Sequence, residues 1–270
     1  MGKMTDWIRL WRELVEATSE REKDGAGKVE RGVRGLNRRW AKADSTQDFI
    51  VAQLDATPGA TLLDIGAGTG RWAILLSRHA HAITAVDSSP KMIQAMRENL
   101  HAENIGNVQV IEGTWPQVQI EPHDFSLCSH GMYGSVDLSA FVQCMMQATR
   151  RTCFMLMRAT TPDGIMAEAA THIWGHPYDS PNFQVAFNAL LQMGIFPNVL
   201  MANTGLWEPW TSASLEAALV EIKRRFGLSQ ISEHDDFLLE LLRRRLTWAD
   251  GQYVWTLGVR SALIYWNVDS

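Results

Sequence analysis

Residues 64–70 read Asp-Ile-Gly-Ala-Gly-Thr-Gly, an acid ahead of three alternating glycines, Gly66, Gly68 and Gly70, with Ala67 inside the same turn. A glycine lets the main chain turn tightly and approach a ligand with no β-carbon in the way. Such a turn before a helix N-terminus aims free N–H groups at whatever sits there. A pyrophosphate would suit those donors, but Asp64 just ahead of them would be an unfavourable neighbour. A ligand with an ammonium group is the better match. Asp87 closes the next apolar run, where a carboxylate can accept both hydroxyls of a ribose. The two acids together describe a ligand with an amino-acid head and a nucleoside.

These residues need elements to hold them. The apolar run 61–65 predicts a strand, 71–78 a helix and 82–87 a second strand. Ser89 is placed as an N-cap with Pro90 at the first helical position, and Met92, Ile93, Met96 and Leu100 form the buried face of the helix that follows. Strands over 108–111 and 125–129, a helix over 137–150 and a strand over 153–158 continue the alternation, which predicts a parallel sheet covered on both faces. Ahead of it lie an amphipathic helix over 4–20, carrying Trp7, Ile8, Trp11, Leu14 and Val15 on one face, and a helix over 46–54. Beyond it the pattern is less regular. It predicts a loop with a short helix over 159–180, a helix over 182–193, a sixth strand over 198–203 and helices over 212–226 and 232–248. A closing hairpin over 251–268 would turn near Gly258.

The bulk numbers bound the answer. A length of 270 residues suits one large domain or a domain with an elaborated cap. With 46% hydrophobic and 20% charged residues a sizeable core is expected and wholesale disorder is not. A net charge of -5 does not describe a generally basic nucleic-acid surface. Cys128, Cys144 and Cys153 show no paired spacing, which points to a reducing compartment. No apolar stretch of signal-peptide or membrane-span character stands out, so a cytoplasmic protein without a membrane partner is expected. The basic run Lys28, Arg31, Arg34, Arg38, Arg39 and Lys42 reads as a solvated helix face closing over a cofactor, with Trp40 pressing on it, rather than as a nucleic-acid surface.

The stretches "LLDIGAGTGRWA", "ITAVDSSPKMI" and "NVQVIEGTW", in this order and spacing, resemble the first three motifs of class I S-adenosylmethionine-dependent methyltransferases. "HDFSLCSHGMYG" is similar to their fourth-strand region, and the resemblance covers about residues 58–160. It implies an α/β fold: a doubly wound, mostly parallel seven-stranded sheet with helices on both faces, joined here by a helical N-terminal segment and a substrate cap. It also implies S-adenosylmethionine as cofactor and S-adenosylhomocysteine as product. Carried over residue by residue, Asp64 and the Gly66 backbone would hold the methionyl amine. Gly68 and Gly70 would let the chain pass under the ligand. Asp87 would take the ribose, Ser88 would sit against the adenine, and Ser129 would offer its carbonyl to the amine. The family often has an acid after the third strand that bonds the adenine amino group. This chain has Thr114 followed by Trp115 there, which leaves adenine to Trp115 stacking or to backbone.

A sulfonium methyl is already activated, so the protein's tasks are in-line alignment and exclusion of water. A general base is needed only where the acceptor atom carries a proton. His130 and Tyr133 follow the fourth strand and are the catalytic candidates. His172, Trp174, His176 and Tyr178, with Trp207 and Trp40, are candidates to face the acceptor. Glu168, His172 and His176 have helical metal-ligand spacing, but Gly175 and Pro177 interrupt it, and no metal is expected. "SHGM" after the fourth strand disfavours the amino-directed DNA methyltransferases, and the lack of a proline-preceded cysteine disfavours cytosine C5 chemistry. The resulting reading is methyl transfer to a small molecule by a monomer or homodimer. The alternatives are an RNA or protein methyltransferase and a non-catalytic sensor of the cofactor. An N-terminal lid (1–57), a cofactor-binding core (58–160) and a region of cap elements and remaining strands (161–270) would form one continuous domain.

Overall fold

The computed structural model describes residues 5–22, 45–161, 164–202, 209–256 and 259–268. The basic run 28–42 with Trp40, as well as Trp207 and Gly258, lies outside the described residues.

Seven strands form the main sheet: β1 (Thr61–Ile65), β2 (Ala82–Asp87), β3 (Val108–Glu112), β4 (His123–Ser129), β5 (Thr149–Thr160), β6 (Asn198–Met201) and β10 (Val259–Asn267). Their order is β3-β2-β1-β4-β5-β10-β6. All pairs are parallel except the two made by β10, which runs antiparallel between β5 and β6. The strand order reverses between β1 and β4. In open sheets of this kind ligands gather at the carboxyl ends beside such a reversal.

Both faces of the sheet are covered, so its inner strands are apolar without alternation. Leu62 joins a core with Ile50 and Leu54 of α2 (Ser45–Asp55), Trp72 and Leu76 of α3 (Arg71–Leu76), and Ile93, Met96 and Leu100 of α4 (Pro90–Ala102). Leu63 and Ile65 point the other way, into a core with Trp11 and Leu14 of α1 (Trp7–Glu22), Phe141, Val142 and Met145 of α5 (Leu138–Gln147), and Val185, Ala189 and Leu190 of α7 (Phe183–Gln192). Ser89 is the N-cap expected from sequence, its Oγ accepting from Met92 N–H at 3.5 Å, and Asp137 caps α5 in the same way, its Oδ1 accepting from Ala140 N–H at 2.9 Å.

A third core belongs to the cap. It joins Ile165, Ala169 and Ala170 of α6 (Ile165–Trp174) to Ala218, Ile222 and Phe226 of α8 (Leu215–Phe226) and Leu238, Leu241 and Leu242 of α9 (Asp235–Arg245). A small antiparallel sheet completes it, with β9 (Gln252–Trp255) between β7 (Trp210–Ser212) and β8 (Thr247–Ala249).

The closing hairpin is corrected by this arrangement. β9 pairs with β7 and β8, while β10 pairs with β5 and β6, so the two halves of 251–268 go to different sheets. Burial outweighs local pairing here. Trp255 is held in the cap core, where its Nε1–H donates to Ser212 Oγ at 2.9 Å. Ala262, Leu263 and Ile264 of β10 are fully buried in the main sheet. The last helix also ends earlier than expected, at Arg245, because 247–249 are taken up as β8.

Candidate functional site

The loop after β1 is fixed from the neighbouring strand. The N–H groups of Gly66 and Ala67 both donate to Val86 O, at 2.8 and 3.0 Å. Gly66 has φ 69°, and a β-carbon on it would stand 3.0 Å from the Gly131 Cα. Gly131, in the turn after β4, is the reciprocal partner, and a β-carbon there would meet the Ile65 carbonyl at 3.1 Å. The loops of β1 and β4 therefore touch glycine to glycine, which brings the two carboxyl ends together at the switch point. Sequence reasoning missed Gly131, although its place directly after a strand was a signal. Gly68 differs from Gly66: its φ is 59°, and a β-carbon there would meet nothing within 4 Å. The space above it is open.

Asp64 lies at the floor of this turn and is 1% exposed. It receives the backbone N–H of Ala73, in the first turn of α3, while its Oδ2 is buried without a hydrogen-bond partner among the described residues. Burial raises its pKa from 3.8 to about 7, with repulsion from Asp87 adding to the rise. A carboxyl group of this kind is matched to a charged N–H donor.

Asp87 ends β2 and spans two loops: Oδ2 accepts from Gly68 N–H at 2.8 Å and Oδ1 from Ser89 N–H at 2.9 Å. Each oxygen keeps lone-pair capacity for a hydroxyl donor. Ser88 beside it is exposed. Trp115 is anchored by its Nε1–H to Phe141 O at 3.2 Å and meets the Phe141 ring edge-on at 6.3 Å. Thr114 is exposed, and its carbonyl accepts from Gln117 and Val118 N–H. Ser129 pairs with Leu156 at the end of β4.

His130 follows Ser129 with φ 57°, an uncommon value for a side chain-bearing residue. Its backbone N–H donates to Leu156 O at 3.0 Å. The Tyr133 hydroxyl accepts from the Arg158 backbone N–H at 2.6 Å and meets His130 Nδ1 at 3.0 Å. The Tyr133 hydroxyl thereby ties the His130 ring to the backbone of β5. Burial pushes the Tyr133 pKa up to about 12, so it remains a phenol.

The acceptor-side candidates divide. Trp174, His176 and Tyr178 form a chain of rings, with centroid separations of 5.9 and 5.8 Å, that reaches Trp7 of α1 at 5.9 Å and Phe226 of α8 at 4.9 Å. Burial lowers the His176 pKa, and its Nδ1 accepts from Tyr178 N–H at 3.4 Å. His172 is not with them: it is exposed and stacks on Phe237 of α9 at 3.7 Å. Glu168 is held by Arg244 and Arg245, and α6 ends at Trp174 with Gly175 in the left-handed region. His176 thus lies past the end of the helix that carries Glu168 and His172.

The sequence model of a family described as "Methyltransferase domain" matches residues 62–152. Three curated relatives share part of the chain. A "probable cobalt-precorrin-6B C(15)-methyltransferase (decarboxylating)" of Sulfolobus acidocaldarius is 28% identical over 42% of this chain and 57% of its own length. A ribosomal protein L11 methyltransferase of Acetivibrio thermocellus is 33% identical over 24% and 21%. A protein-L-isoaspartate O-methyltransferase 2 of Pelobacter propionicus is 31% identical over 27% and 36%. The chain thus spans under two thirds of each. The crystal structure of the YcgJ protein of Bacillus subtilis superposes with a TM-score of 0.53 at 16% identity, covering 83% of this chain and 97% of that one, and shares the fold. Residues 62–152 are thus similar to a methyltransferase domain, and the fold is shared with that solved structure. S-adenosylmethionine is the cofactor that the motif resemblance over residues 58–160 implies.

The residues present fit that cofactor. The unpartnered Asp64 oxygen suits its ammonium, the open space above Gly68 admits a ligand against main chain, and Asp87 has capacity for ribose hydroxyls. When bound, the cofactor would supply an activated methyl group.

Proposed function

We propose that this chain transfers the methyl group of S-adenosylmethionine to a small-molecule acceptor. The observation that carries the reading is the enclosure of the carboxyl edge beside β4 and β5. Trp11 of α1 donates from Nε1 to Ser135 O at 2.8 Å, Trp7 packs on Tyr178, and the cap core sits beyond β5. An acceptor must therefore enter between α1, the post-β4 turn and the cap, which favours a compact molecule over a polymer. The protein's part is to position and to exclude water. Asp64, Asp87 and the glycine turn would hold the cofactor, while Tyr133 sets the orientation of His130 at the mouth. The relative from Sulfolobus is named for a small-molecule acceptor, which supports the reading; the other two are named for protein acceptors and overlap this chain less.

Incubation with methyl-labelled S-adenosylmethionine and separated pools of metabolites, RNA and protein tests it. Label in the metabolite pool is expected. Label confined to protein or RNA would replace the acceptor class, and binding without any transfer would leave a sensor.

A further inference from the structure

A cleft that opens to solvent lies just past the carboxyl end of β5. Its lining includes Arg158, Thr160, Ile165, Asp179, Trp210 and Trp255. Arg158 stands two residues beyond Leu156, the partner of Ser129, and its backbone N–H holds the Tyr133 hydroxyl. The cleft therefore adjoins the turn that carries His130.

The Arg158 side chain is unusual. Nη2 donates to Ser180 Oγ and to Pro181 O at 3.3 Å, and the guanidinium carbon lies 6.0 Å from the Tyr133 ring centroid. Its Nε is buried and has no acceptor, and among the described residues the guanidinium makes no ion pair. A buried donor left without an acceptor is costly, so the Nε–H calls for one. Asp179 also lines the cleft and is 8% exposed; burial holds the Arg225 guanidinium below its usual pKa, and the Asp179 charge opposes that shift. Arg225 in turn pairs with Glu221 at 2.7 Å and covers the Trp210 ring at 3.7 Å. The acid of the cleft thus has a cation near it on the α8 side, and Arg158 retains a buried donor without an acceptor among the described residues.

We propose that Arg158 is the anchor for a carboxylate on the methyl acceptor, so that the acceptors of this protein are small arene or heteroarene carboxylic acids. A guanidinium can donate to a carboxylate from the N–H groups that Ser180 and Pro181 leave free, and the tryptophans and Ile165 that line the cleft suit a flat apolar body behind that group. The inference rests on the methyltransferase reading above and narrows its substrate class.

Titration calorimetry separates the two. S-adenosylhomocysteine is titrated first, then benzoate and indole-3-acetate against benzamide and indole-3-acetamide in its presence. The acids are expected to bind at least tenfold more tightly than the neutral amides. Arg158→Gln should remove that preference, Arg158→Lys should retain part of it, and Arg243→Gln, on the exposed side of α9, should leave it unchanged. Binding of S-adenosylhomocysteine by each variant serves as the folding control, and Arg158→Lys carries the test if the glutamine variant fails to fold. Equal affinity of acids and amides, no binding by either, or a preference that survives Arg158→Gln overturns the carboxylate anchor. Failure of S-adenosylhomocysteine itself to bind overturns the reading beneath it.

Discussion

At the scale of single residues, Gly68 and Asp64 separate a turn that is merely tight from a turn that serves a ligand. Gly68 takes φ 59° with open space where a β-carbon would stand. Gly68→Ala should therefore fold, with a cost of roughly 1–2 kcal/mol for the left-handed backbone. It should weaken S-adenosylhomocysteine binding at least tenfold, because the methyl group occupies the ligand's place. Calorimetry beside a denaturation curve checks both numbers, and unimpaired binding would show that the ligand lies elsewhere. Asp64 gives a pH signature. Its pKa rises from 3.8 to about 7 on folding, so the proton it retains favours the folded state fully below pH 4, and that contribution is lost as pH rises through 7. Asp64→Asn removes this loss. The variant should be more stable than the parent at pH 8 by a few kcal/mol and similar to it at pH 4, yet should bind the cofactor poorly, since its ammonium loses the charge partner. Urea melts at the two pH values measure the difference; a constant offset would contradict the buried carboxyl argument.

At the scale of elements, α1 is the clearest case. Its apolar face was readable from Trp7, Ile8, Trp11, Leu14 and Val15, and the structure buries Trp11 completely against the post-β4 turn. Trp11→Ala should destabilise the chain by about 3–5 kcal/mol and leave the Ser135 carbonyl without its donor. Thermal unfolding reads the loss, and a change under about 1 kcal/mol would mean that α1 is only loosely docked. The same comparison shows what sequence pattern conveys. β1 to β5 and the helices between them were legible because each carries its own periodicity, with Ser89 marking the start of α4. Asp64 and the glycines of the turn after β1 stood out for the same reason, since they lie in one short stretch. The hairpin over 251–268 was misread because β9 and β10 are adjacent in sequence but owe their places to Ser212 and to β5. Arg158 and Gly131 went unnoticed because their meaning lies in partners far along the chain: Ser180 for one, Gly66 for the other.

At the scale of the whole molecule, the three cores assign different work to different regions. Two of them clamp the sheet between its helical layers, and they hold the turn of Asp64 and the end of β2. The third holds the cap together from α6, α8, α9 and β9 without contribution from β1 or β4. Damage to the cap core should therefore spare the cofactor turn. Leu241 is 1% exposed within that third core, and Leu241→Ala should cost about 2–5 kcal/mol there. Because stability is not uniform across a fold, the loss should surface as faster amide exchange in α6, α8 and α9, while β1, β2 and β4 keep their protection. Binding of S-adenosylhomocysteine should stay within about twofold of the parent, since Asp64, Gly68 and Asp87, which would hold it, lie outside that core. Turnover with an accepted substrate should fall, because the walls of the cleft at Ile165 and Trp255 belong to the weakened core. Exchange measured by mass spectrometry with and without S-adenosylhomocysteine distinguishes the cases. If exchange rises equally in β1 and β4 and the ligand is lost, the cap and the sheet unfold as one unit, and the separation of acceptor side from cofactor side fails.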